Sequence, residues 1–429
     1  MYGLMNFLLR RAMRSALRFD AAPGASAPSD DVRAATMLYV HIPFCESLCP
    51  YCSFHRYVYE PQLAEGYYDA LLRELQLYHD RGCRFTAMYI GGGTPTICMD
   101  RLCALIDRGR SLYPLREISV ETNPNHLHGP ALRRLHRAGV RRLSVGVQSF
   151  NDDLLRRLGR YEKYGDSAAI RHRLRQALGI FETLNIDLLF NLPQQTRQHL
   201  LHDLRVVEEL LPDQVTFYPL MASPSVARAL QRLFGPVDYG AEREHYATIL
   251  AAMRGRYTGS TAWCFSRRAS MIDEYIIAHD RYVGAGSGAF GYHSGGIFIN
   301  TFSLAEYRQR LQEGVLPIAL VKQFSRRETL RYVLLMKLFG LSLTRAELER
   351  LRATHSRFAL APELWALRVL GAVRTVQDGF TLSDRGKYFW VMAMREFFIA
   401  VDALRDRCRD AVADAAAGCS EGRGDVKNP

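Results

Sequence analysis

Cys45, Cys49 and Cys52 form a C-x3-C-x2-C triplet directly after the apolar run Met37–Ile42. Three thiolates hold three irons of a [4Fe–4S] cube, whereas an electron-transfer cluster normally takes four. The fourth iron is then open, and an open metal position marks catalysis rather than structure. His55 follows Cys52 at a ligand-like spacing. Three cysteines and a histidine are also a common zinc set, so the triplet by itself leaves zinc open.

Further polar features recur at the ends of apolar runs. Tyr89-Ile-Gly-Gly-Gly-Thr-Pro-Thr96 carries three glycines, which let a backbone approach a ligand closely. Ser119-Val-Glu-Thr-Asn-Pro-Asn125 places Glu121 at such an end, and Val145-Gly-Val-Gln-Ser-Phe150 places Gln148 there. Asp187 lies in the otherwise apolar Ile186–Phe190, where a buried acid needs partners. A capping acid or a tight turn would explain any one of these. Several polar groups at one rim beside three thiols point to a site.

The elements that must position them alternate. Strands are expected at Leu38–Ile42, Thr86–Ile90, Glu117–Val120, Arg142–Val147, Ile186–Phe190 and Gln214–Tyr218, with helices between them such as Leu63–Tyr78 and Leu132–Ala138. Six β-then-α units imply an α/β fold with a parallel sheet, here a partial (β/α)6 TIM-like barrel with chemistry at the carboxyl ends of its strands. The barrel is expected over 34–235, a connecting region completing the site over 236–320, a helical, winged-helix-like domain over 321–410 and a disordered tail over 411–429. The final helix is expected at Arg385–Leu404. Its apolar stripe, from Tyr388 to Ile399, reads as core or as a greasy contact.

Residues 1–33 read as a basic amphipathic segment and a linker rich in Ala, Pro and Ser. Arg10, Arg14 and Arg18 share one face of a helix over 1–19, a pattern suited to a membrane surface or to packing on the body. The charge follows the apolar run, unlike a secretory signal. No apolar run reaches the ~18 residues of a membrane span. Nine cysteines, odd in number and scattered outside the triplet, suit a reducing cytosol better than a disulfide framework. The net charge of +12 allows an anionic partner without identifying one, and no nucleic-acid partner is expected.

HIPFC, GGGTPT, ETNP, GVQSFN and IDLLFNLP together resemble the radical S-adenosylmethionine (SAM) superfamily, in the branch of the oxygen-independent coproporphyrinogen III oxidases, from about Tyr39 to Phe290. The resemblance implies that Cys45, Cys49 and Cys52 ligate a [4Fe–4S] cluster. It implies that Tyr39, Gly92, Glu121 and Phe290 contact one SAM. Tyr51, Gly93, Thr94, Gln148, Arg160, Asp187 and Leu220 would contact a second. The amino and carboxylate groups of SAM would chelate the open iron, and a low-potential donor such as flavodoxin or ferredoxin would supply the electron.

Within that branch the oxidases carry a fourth cysteine two residues after the triplet, where this chain has Phe54. The heme-chaperone relatives carry a His-Asn…Tyr-Trp signature where this chain has Met271-Ile-Asp-Glu-Tyr-Ile-Ile277. Cys49-Pro-Tyr-Cys-Ser-Phe-His-Arg56 looks most like the class C radical SAM methyltransferases that methylate C8 of the menaquinone ring. That resemblance makes a lipid quinone the expected substrate and His55, Arg56 and Tyr57 the residues expected to meet it. The alternatives are a porphyrinogen oxidase-like enzyme and a non-catalytic heme chaperone.

Overall fold

The computed structural model describes residues 2–21, 33–268, 275–354 and 360–421. Six parallel strands run in chain order: β1 (Met37–Ile42), β2 (Ala87–Gly92), β3 (Glu117–Thr122), β4 (Arg142–Gln148), β5 (Thr183–Phe190) and β6 (Gln214–Pro219). Each matches an expected strand to within a few residues. Helices such as Pro61–Asp80, Met99–Leu112 and Arg197–Leu210 return the chain between them. Their buried faces (Tyr67, Leu71 and Leu75 on the first; Leu102, Leu105 and Ile106 on the second) cover the outside of the sheet. This is the α/β partial barrel the alternation implies.

Two extensions were not legible in the sequence. Tyr282–Ala285 pairs with β1 as a further parallel strand, and the antiparallel strands Phe290–His293, Gly296–Asn300 and Ile318–Gln323 follow it outward. On the other side Cys264–Ser266 pairs antiparallel to β6. The barrel interior is polar at mid-height. Arg142, fully buried, donates to Gln214 (3.0 Å) and to Ser119 (3.1 Å). Thr216 donates to Asn185 (3.1 Å), which donates in turn to Ser144 (2.8 Å). Low surrounding polarity makes such a network costly unless every member is paired.

Beyond the barrel, Ser342–Thr344, Val373–Val376 and Gly379–Leu382 form a small three-stranded sheet beside helices Arg345–Thr354 and Ala361–Val369. The final helix runs over Asp384–Glu421 instead of ending at Leu404. Its stripe is core: Tyr388, Phe389, Trp390, Met392, Met394 and Phe397 are all buried.

The N-terminal helix, Tyr2–Ala16, lies on this final helix. Arg10 turns inward and donates to Glu396 (2.9 Å), away from Arg14 and Arg18, because a fully buried carboxylate requires a cation. Met5, Leu9, Met13 and Ala16 face a cavity of about 510 Å³ closed by Phe324, Leu334, Trp390 and Phe397. Phe7 and Leu8 remain exposed. Among the described residues no helix is long and apolar enough to cross a membrane. Most of the linker, over 22–32, and the residues after Glu421 lie outside the described residues.

Candidate active site at the barrel mouth

The cysteine loop leaves β1 at its carboxyl end. Phe44–Cys45 pairs as a short parallel ribbon with Tyr57–Val58, which closes the loop at its base. Glu46 ties it to the end of β3 by accepting from Asn125 (3.1 Å) and His126 (3.3 Å). Arg56 donates to the carbonyls of Cys49 (3.0 Å) and Cys52, folding the loop around its own guanidinium.

The three thiols differ electrostatically. Burial opposes the Cys49 thiolate, but the Arg160, Lys163 and Arg56 cations outweigh it and shift that thiol downward. Arg160 lies 3.8 Å and Lys163 3.6 Å from its sulfur. Burial pushes Cys45 up to about 11, with Cys52 adding to the rise, against a hydrogen bond from Thr94 (3.7 Å). Cys52 is also raised, chiefly by burial. Among the described residues no three of His, Cys, Asp and Glu converge closely enough for a single ion. His55 is fully buried, with Nε2 on Ser287 (3.1 Å), its ring against Phe302 (5.0 Å) and Tyr57 (5.2 Å), and Nδ1 without a partner. The three-cysteine, one-histidine zinc set is therefore not assembled. The donor chemistry suits a cube, which takes one thiolate per iron.

The glycine turn is steric. Gly93 donates to the Ile42 carbonyl and Thr94 to the Phe44 carbonyl, both at 2.7 Å. A Cβ on Gly93 would lie 2.5 Å from the Phe44 oxygen. Gly92 adopts φ +115° and donates to Glu121 (3.0 Å), which also accepts from Tyr89 (2.9 Å). Tyr39 meets His41 Nδ1 at 2.9 Å, and His41 Nε2 meets the His55 carbonyl at 2.8 Å, where burial lowers the imidazole to about 4. Gly92 and Glu121 thus stand at the carboxyl ends of two adjacent strands, with Tyr39 in the middle of the strand beside them.

The second group of residues spreads wider. Arg160, 3% exposed, donates to Tyr51 (3.0 Å), Asn123 (3.0 Å) and the Gly146 carbonyl. Gln148 takes φ +76° at a bulge where β4 slips against β5. Asp203 anchors the turn that follows by accepting from Ser149 (3.0 Å) and from the Phe150 amide (2.7 Å). Asp187 accepts from Ser144 (2.9 Å) and Asn185 (2.7 Å), so the barrel's own polar layer supplies partners for this acid. Leu220 is buried in a small apolar cluster with Leu154, Leu158 and Leu230.

The residues expected to meet a quinone are all engaged within the protein: His55 is sealed in, Arg56 holds loop carbonyls, and Tyr57 donates to the Phe302 carbonyl (3.0 Å). Sequence reasoning missed what covers the mouth. The final helix brings Arg405 to 5.2 Å from the Phe54 ring and 5.1 Å from the Phe290 ring. Arg409 donates to the Phe54 carbonyl (3.3 Å), and Asp406 accepts from Ser225 (2.6 Å). Lys163 and His41 were missed as well. Their only signal was nearness in sequence to Arg160 and to the triplet.

A partial barrel with three thiols on the loop after its first strand is the architecture of radical SAM proteins, and the description of the radical SAM superfamily matches residues 39–207. Three comparisons narrow this. The heme chaperone HemW of Bacillus subtilis is 33% identical over 293 residues, covering 65% of this chain and 76% of that protein. The oxygen-independent coproporphyrinogen III oxidase of Salmonella typhimurium is 34% identical over 206 residues, 46% of this chain and 44% of that one. The solved coproporphyrinogen III oxidase HemN of Escherichia coli, a radical SAM enzyme, superposes with a TM-score of 0.70 at 25% identity, covering 84% of this chain and 90% of its own. The chain belongs to the radical SAM superfamily, in the branch of these oxidases and heme chaperones. That fold implies a [4Fe–4S] cluster and SAM.

These likenesses overturn the quinone methyltransferase expectation. Its support was the stretch Cys49–Arg56, in which Ser53, His55 and Arg56 are engaged in contacts within the protein. Most of the stretch that departs from the chaperone signature, residues 271–274 of 271–277, lies outside the described residues.

Proposed function

We propose that this protein handles a tetrapyrrole at the barrel mouth, as a heme-binding radical SAM protein and not as a porphyrinogen decarboxylase. The observation that carries this reading is the 33% identity with a heme chaperone over three quarters of that protein's length. Phe54 supports the same choice, since the oxidases have a cysteine there.

Cys45, Cys49 and Cys52 would hold the cluster, and Tyr39, Gly92, Glu121 and Phe290 would contact a SAM bound to it. When bound, cluster and SAM together supply one-electron chemistry that a protein side chain cannot. The chain's own groups do the rest. Arg160, Lys163 and Arg56 favour the Cys49 thiolate. Glu121, fixed by Tyr89 and Gly92, presents an acceptor to a cationic amine. Tyr51, Gly93, Thr94, Gln148, Arg160, Asp187 and Leu220 would contact a second SAM. Equilibrium dialysis of reconstituted protein would then return two SAM per chain.

Anaerobically reconstituted protein should bind hemin with a saturable Soret shift and release no carbon dioxide from coproporphyrinogen III. Carbon dioxide release would establish the oxidase reading, and absence of hemin binding would remove the chaperone one.

A further inference from the structure

We propose that Arg405 is the residue that reads a carboxylate of the bound tetrapyrrole, gripping a propionate over the barrel mouth. This rests on the tetrapyrrole reading above and adds the group that would fix the ligand's orientation.

Arg405 is placed unlike the other cations of the site. Among the described residues Arg56 and Arg160 also have a buried Nε without a partner, but Arg56 donates through Nη2 to two loop carbonyls and Arg160 through both Nη groups to Tyr51, Asn123 and the Gly146 carbonyl. Arg405 has its guanidinium near two rings, Phe54 and Phe290, at 5.2 and 5.1 Å. Such aromatic contacts hold a guanidinium without using its N–H groups. Its side chain is only 11% exposed. One corner is set by Asp402, which accepts from Nη1 at 2.6 Å. Nε is buried and has no hydrogen-bond partner among the described residues. A buried donor without a partner is costly, and such a group in a native structure calls for a ligand or water. Nε and the Nη beside it form the fork that takes a carboxylate side-on through two parallel hydrogen bonds.

The location fits. The charge of Arg405 is felt by Tyr39, His41 and His55, so it stands above the end of β1, beside the cysteine loop. Heme carries propionates on a flat apolar macrocycle, and coproporphyrinogen carries them on a puckered one. The half-exposed Phe54 ring offers apolar surface next to the fork. Arg409 holds Phe54 in place through its carbonyl. SAM also brings a carboxylate to this mouth, and the test separates it from a propionate by reading SAM cleavage beside hemin affinity.

The test uses the full chain, reconstituted anaerobically, with hemin and hemin dimethyl ester as probes in the same detergent. Arg405→Met should weaken hemin binding about ten- to a hundred-fold, the usual cost of a lost charged hydrogen-bond pair. Arg405→Lys keeps the charge and most of the packing but not the fork, and should recover only part of the loss. The dimethyl ester should bind wild type and Arg405→Met equally. Iron content and reductive SAM cleavage should match wild type in both variants. Unchanged hemin affinity in both variants overturns the proposal and leaves the tetrapyrrole reading standing. Lost SAM cleavage with unchanged hemin affinity assigns the carboxylate to the cofactor and also overturns it. A wild type that takes up no hemin overturns the tetrapyrrole reading itself.

Discussion

Gly93→Ala tests whether the glycine run exists to admit the cysteine loop. The added Cβ would lie 2.5 Å from the Phe44 oxygen and 2.9 Å from its carbon and nitrogen. Ordinary contact needs about 3.4 Å, so one backbone must retreat by nearly 1 Å, and neither is free to do so. Gly93 and Thr94 donate to Ile42 and Phe44 across this gap at 2.7 Å, and Phe44 is bonded to Cys45, the first thiol of the triplet. Overpacking of this kind costs about 1–3 kcal/mol. The expected result is a urea midpoint lowered by that amount in cluster-free protein. Iron and sulfide uptake on reconstitution should fall below the wild-type level. Gly91→Ala is the contrast. Its Cβ would meet the Glu121 carboxylate at 2.7 Å, the far end of a side chain, so it should weaken SAM binding while sparing iron content. Wild-type stability and iron content in Gly93→Ala would refute the argument.

Four further outcomes are expected. Burial pushes Asp203 up to about 7 from an ordinary 3.8. The folded value exceeds the unfolded one, so its contribution is complete below about pH 4 and is lost as pH rises through 7, by about 4 kcal/mol at most. Asp203→Asn should therefore remove part of the decline in stability between pH 4 and 7 seen by urea denaturation; an unchanged slope would count against a neutral buried carboxyl. Arg395→Met leaves Glu242 and Glu396 buried with one cation fewer and should cost about 3–5 kcal/mol, whereas Arg10→Met, at a half-exposed site, should cost about 1 kcal/mol or less in the same measurement. Arg160→Met should move the Cys49 thiol upward, read as slower alkylation at neutral pH in cluster-free protein. Cys49→Ala should abolish iron uptake and SAM cleavage together.

The barrel was legible because each strand is a short β-branched run with a polar residue at its carboxyl end and an amphipathic stretch behind it. The strands run a little further than expected because backbone pairing continues through Gly92, Thr122 and Gln148, past the end of each apolar run. Tyr282–Ala285 was hidden in a glycine-dense segment, where side-chain pattern says little about pairing. The polar interior is written in Ser119, Ser144, Asn185 and Thr216, small residues at alternate positions that also suit an ordinary sheet. The cover over the mouth was beyond reach. Asp402, Arg405, Asp406 and Arg409 have the spacing of a solvated helix face, and only the long-range fold brings them to Phe54 and Phe290. Quinone chemistry was read from Cys49–Arg56 because local sequence does not distinguish a side chain that meets a ligand from one that closes its own loop.

The last helix has a consequence for biosynthesis. Its capping turn is translated about 350 residues after Cys52, which at roughly 5–20 residues per second is an interval of some 20 to 70 seconds. Throughout it the nascent chain displays its thiols with no roof above them. Iron–sulfur insertion can thus precede closure, and a ribosome stalled before residue 402 would release an open vestibule, poised for metal delivery and equally for oxidation.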